Sequence, residues 1–165
     1  MRRRTAGLIV AAAHAALVAS LGLKLLADRA RLPRAWVRTQ PYDPSTPLRG
    51  RYVRLALDIP LSNFDTTRGT YAVAGVRLDA RDGRVVGRID DSVTSPRIQL
   101  RHDGAWSARL ADPVAFFIPE HVPDPSVRPA GEELWVEVTL PANGPPRPIR
   151  LGVMRAGSLS PLEYR

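Results

Sequence analysis

A chain of 165 residues with 44% apolar content has room for one modest domain and an appendage, and its lack of cysteine excludes disulfides, thiolate metal sites and a cysteine nucleophile. The formal charge of +8 falls to +4 once Arg2, Arg3, Arg4 and Lys24 are set apart, because the other twenty basic residues face sixteen acidic ones. Those charges are interspersed, with no basic stripe and no aromatic-basic motif, so a nucleic-acid partner is not expected.

At the N-terminus, Met1-Arg2-Arg3-Arg4-Thr5 leads into Ala6 to Leu23, which carry no charge. As a helix that run spans about 27 Å, and continuation to Ala27 gives about 33 Å, enough for a bilayer core. Residues 1–27 therefore read as an export signal, either retained as a transmembrane anchor or cleaved after Ser20, and the bilayer is the partner expected of residues 6–27. The leading arginines favour a cytoplasmic N-terminus and an exported main domain, while Arg29, Arg31, Arg34 and Arg38 crowd the other flank. His14 lies mid-span, and Ala11, Ala15 and Ala19 share a ridge, so helix association with a membrane-protein partner is conceivable.

Residues 28–49 read as a juxtamembrane stalk and linker. Asp28 to Arg38 continues as a short helix or stalk broken at Pro33, and Thr39 to Arg49 contains three prolines. From Gly50 the period becomes two, which opens a β domain over residues 50–165. Tyr52 to Ile59 forms a first strand, with Val53, Leu55, Leu57 and Ile59 on one face. Thr70–Leu78 and Arg84–Ile89 flank Asp79-Ala80-Arg81-Asp82-Gly83, a hairpin turn in which glycine supplies positive φ. Arg97–Arg101 and Ala105–Leu110 flank His102-Asp103-Gly104, with Ile98, Leu100, Trp106, Ala108 and Leu110 able to share a buried face. Ala115–Ile118 is a short strand. Leu134, Val136, Val138 and Leu140 alternate with Trp135, Glu137 and Thr139, and Ile149, Leu151 and Val153 repeat the pattern. The expected fold is mainly β: a compact antiparallel β-sandwich or partly open β-barrel behind an N-terminal transmembrane helix.

Asp43-Pro44, Pro47-Leu48-Arg49-Gly50, Tyr52 and Leu55, with the later Phe116-Phe117-Ile118-Pro119-Glu120, resemble the lead-in, motif and aromatic element of the GDYXXLXY family. Gly50, Tyr52 and Leu55 match three defining positions, while Arg51 and Leu57 stand where the family has Asp and Tyr. The resemblance implies a small bacterial protein, anchored in the inner (cytoplasmic) membrane by one N-terminal pass, with its β domain on the extracytoplasmic side. Physically, the motif needs only a permissive turn at Gly50 and strand packing at Tyr52 and Leu55.

Ser45 to Val53 behind a membrane helix also resembles the nucleophile segment of type I signal peptidases. Those enzymes activate serine with a lysine, and the sole lysine here is Lys24, at the end of the membrane segment. Arginine cannot serve, because it keeps its proton. No Gly-x-Ser-x-Gly, metal-ligand spacing or cofactor motif is present. Glu120 and His121, opening a proline-rich loop, are the candidate polar functional spot, since loops carry function. The expected function is a membrane-tethered extracytoplasmic domain acting by binding, an accessory to a membrane-protein partner and not an enzyme. The alternative is a tethered hydrolase with a non-standard site near Glu120 and His121.

Overall fold

The computed structural model describes residues 2–41, 52–63, 73–102 and 106–164. They divide into two compact units, an N-terminal helical unit ending at Leu32 and a β domain beginning at Pro33. The helix α1 (Arg2–Arg31) follows from an alanine- and leucine-rich run without an internal proline or acidic first turn, and Arg29 and Arg31 sit in its last turn, where they complement the helix dipole. Thr5–Arg31 is long and apolar enough to cross a membrane, and none of that apolar surface is buried. Leu8, Ile9, Leu17, Val18 and Leu21 are all exposed. Two polar side chains within the span bond back to the helix itself. His14 Nδ1 donates to Val10 O at 2.8 Å, and Ser20 Oγ donates to Leu17 O at 2.8 Å.

The β domain contains ten strands among the described residues: β1 (Arg34–Pro41), β2 (Tyr52–Leu57), β3 (Val73–Arg81), β4 (Arg84–Ile89), β5 (Arg97–His102), β6 (Trp106–Leu110), β7 (Val114–Phe117), β8 (Glu132–Thr139), β9 (Arg147–Arg155) and β10 (Ser158–Pro161). They form one mixed sheet that is not closed, ordered β10-β9-β8-β1-β4-β3-β5-β6, with β2 joining β1 to β7. The expectation of a stalk and linker over residues 28–49 is corrected for residues 28–41. Residues 28–31 belong to α1, and β1 is an interior strand of the sheet. Pro33 does break the helix, but the residues after it have neighbours on both sides. Arg34 to Arg38 pair antiparallel with β8, and Thr39 to Pro41 pair with Leu55 to Leu57 of β2. Alternation of Ala35, Val37 and Thr39 toward the core with Trp36 and Arg38 on the other face supplies the strand pattern. Residues 42–51, including Gly50, lie outside the described residues.

The mainly β fold behind an N-terminal apolar helix is as expected, and within its otherwise antiparallel strand pairing β1 meets β4 in parallel at Trp36 and Arg84. The Trp36 N–H donates to Gly83 O at 2.8 Å there. The hairpin β3–β4 forms where its sequence predicts but with a shorter turn, since Asp79, Ala80 and Arg81 pair with Val86, Val85 and Arg84. Asp82 and Gly83 adopt φ of 50° and 71°, a two-residue turn of the primed kind that matches strand twist. The β5–β6 hairpin pairs Ile98 with Leu110 and Leu100 with Ala108, and its turn, residues 103–105, lies outside the described residues. A strand missing from the sequence pattern, β10, is a short edge strand ending at Pro161.

Leu55, Leu57, Ile98, Leu100, Val136 and Leu151 are fully buried in one core. Each such side chain contributes about 1.5–3 kcal/mol by leaving water. Strand β8 is buried on both faces. Leu134, Val136 and Val138 enter the core, while Trp135, Glu137 and Thr139 are covered from the other side. Arg150 and Trp36 lie over that second face, with Arg150 Nε 2.6 Å from Glu137 Oε2.

Candidate functional site

The chain's three tryptophans, distant in sequence, line one cleft of about 610 Å³ in the β domain. Its position follows from the way β1 changes partners. The first half of β1 touches β4 at a single register position, and its second half turns to β2, so β1 and β4 part beyond Trp36. The segment Asp58–Leu61 straps the gap. Ile59 N donates to Ala108 O, Gly87 N donates to Pro60 O and Ser62 N donates to Gly87 O, all at 2.8–2.9 Å. An isolated bridge between Asp58 and Arg109 brings β6 against this strap. Trp36 enters the cleft from β1, Trp106 from β6 and Trp135 from β8, with Ile59, Leu61 and Val85 adding apolar wall.

Each indole on the outer face of the sheet is positioned by named partners. Trp135 donates its Nε1–H to Glu133 Oε2 at 3.2 Å, and Glu133 Oε1 also holds Arg38 at 3.1 Å. The Arg84 guanidinium lies 5.0 Å over the Trp135 ring, and Arg150 lies 5.4 Å over Trp36. Trp36 packs down on Gly152, where a β-carbon would stand only 2.7 Å from Cζ3 of the indole. Along one side of the cleft, Gln40 and Asp58 are tied to each other and to Arg109, which is not itself part of the lining. Gln40 Nε2 donates to Asp58 Oδ2 at 2.9 Å, and Arg109 donates to Gln40 Oε1. Arg109 Nε lies 3.5 Å from Asp58 Oδ1, an ion pair without a hydrogen bond.

The residues singled out from sequence stand elsewhere. Tyr52 and Leu55 start and centre β2. Leu55 is fully buried, whereas Tyr52 is half-buried with its ring 6.0 Å from Phe117 across the β2–β7 pair. These are packing positions, and neither lines the cleft. Glu120 and His121 follow β7 in an exposed turn, where Val122 N donates to Pro119 O at 3.2 Å, and they do not line it either. Among the described residues, no three His, Asp or Glu side chains converge as a metal site would require. The cleft was hidden from sequence reading because each tryptophan occupies an ordinary place in a strand pattern. Its only trace was Trp36 and Trp135 falling out of phase with their core neighbours.

No family model, curated protein or solved structure matches the chain.

Proposed function

We propose that this chain is a membrane-tethered extracytoplasmic β domain that acts by binding, with the tryptophan cleft as its recognition surface and a membrane-protein assembly as its setting. The observation that carries the reading is the convergence of all three tryptophans on one cleft whose Arg38 and Asp58 are each tied to an opposite charge. Apolar and aromatic walls with a few placed polar groups are what ligand sites use. Asp58 faces Arg109 and Gln40, and Arg38 faces Glu133, so these groups serve structure and selectivity. General acid-base work would require one of them poised to move a proton. The N-terminal helix supports the tether, and the leading arginines favour a cytoplasmic N-terminus. Membership of the GDYXXLXY family belongs to the same proposal, resting on Tyr52, Leu55 and the residues before them.

The competing hydrolase reading centres on Glu120 and His121, which stand on an exposed turn and do not line the tryptophan cleft. Paired variants separate the two. Trp106→Ala should deplete whatever co-purifies with the full-length protein in mild detergent, while Glu120→Ala with His121→Ala should leave it unchanged. Intact recovery with Trp106→Ala, and loss with the loop pair, would move the binding surface to the loop.

A further inference from the structure

The polar lining of the cleft narrows what it can hold. Gln40 has both its amide nitrogen and its oxygen engaged, Asp58 accepts from Gln40 and faces Arg109, and Arg38 is held by Glu133. A sugar needs several free donors and acceptors aimed at its hydroxyls, and these groups are already committed to one another. A cationic ligand would meet Arg38 and Arg84. One charge stands apart. Arg84 is exposed, rests on the Trp135 ring and has no carboxylate partner among the described residues. A guanidinium so placed offers its edge to an anion while its face stays on the indole.

Resting on the reading of this cleft as the binding surface, we infer that it takes an anionic amphiphile, a molecule with an apolar body and one carboxylate or phosphate head. The head meets Arg84, and the body lies among Trp36, Trp106 and Trp135. A volume of about 610 Å³ lies within the range that encloses a molecule of that size. The shared chemistry fits either a membrane lipid or a free acid of medium chain length.

Because every tryptophan of the chain lines the cleft, quenching of intrinsic fluorescence reads this site. The full chain in phosphatidylcholine nanodiscs is titrated with 11-bromoundecanoate and, separately, with 11-bromoundecanol, whose bromine quenches indole on contact. The acid should quench saturably and bind about tenfold more tightly than the alcohol, in keeping with a charge-assisted hydrogen bond. Arg84→Gln should erase that preference and leave the alcohol unaffected. Octanoate should displace the acid and acetate should not, since the head alone lacks the apolar contacts. Displacement by an anionic lysophospholipid more readily than by octanoate would identify a lipid as the source, and the reverse order a free acid. If Arg84→Gln loses its sheet signal in circular dichroism, salt provides the second measurement and should weaken the acid alone. Equal binding of acid and alcohol by the unsubstituted protein would overturn the anionic head while keeping the cleft as a binding surface. Displacement by acetate would overturn the amphiphile. Absence of saturable quenching by either probe would overturn the cleft itself.

Discussion

Gly152 sets how closely Trp36 can approach the sheet. A β-carbon there would stand 2.7 and 2.9 Å from two atoms of the indole, so the ring would have to lift. Gly152→Ala should therefore cost about 1–3 kcal/mol, the range for overpacking a filled site. The loss would appear as a lower urea midpoint together with a shifted tryptophan emission. Ala156 has the opposite problem. It occupies φ of 47° in the β9–β10 turn beside Gly157, a conformation that penalises a β-carbon by about 1–2 kcal/mol. Ala156→Gly should stabilise the domain by roughly 0.5–1 kcal/mol after the added chain entropy of glycine is counted. Asp90 gives a pH signature. The Ser92 hydroxyl and the Arg77 guanidinium both donate to its carboxylate, with the Ser92 N–H adding a third bond, and hold its pKa at about 2 against an ordinary 3.8. Because the folded value is the lower, ionised Asp90 favours folding above pH 3.8, and that contribution disappears as pH falls through about 2. Asp90→Asn should flatten the part of the acid-stability curve between those two values, measured by thermal midpoints.

At the scale of elements, local patterns carried most strands and tertiary partnership decided the rest. The β3–β4 hairpin was legible because Asp82-Gly83 sits between two alternating runs, and β5, β6 and β8 because their apolar residues keep period two. Strand β1 was obscured by the membrane-like helix before it, by Pro33 and by arginines at Arg34 and Arg38 that read as a flank. What makes it a strand is pairing with β8, β2 and β4, which no local signal announces. The cleft was illegible for the same reason, since it exists only where β1 leaves β4. The two core strands give a direct test of phase. Leu55 in β2 and Val136 in β8 are each fully buried, so Leu55→Asp or Val136→Asp places an unpaired carboxylate in the core at a cost of several kcal/mol. That is comparable with the whole stability of such a domain, and the full chain should become protease-sensitive throughout residues 33–165. Cooperative unfolding at an unchanged midpoint would show that these residues are not core.

At the scale of the whole molecule, the chain joins an apolar helix suited to a bilayer to a β domain with a tryptophan cleft. The tether predicts that the protein stays with the membrane fraction after an alkaline wash and that a reporter fused after Arg165 is active only outside the cytoplasm. A shortened soluble form starting near Leu21 would instead identify a cleaved signal. The central claim is that recognition happens at the cleft, and photo-crosslinking in intact membranes tests it most directly. A photoreactive amino acid placed at Trp106 should give a discrete adduct, and the same group at His121 should give none. Adducts from position 121 with none from position 106 would contradict the account.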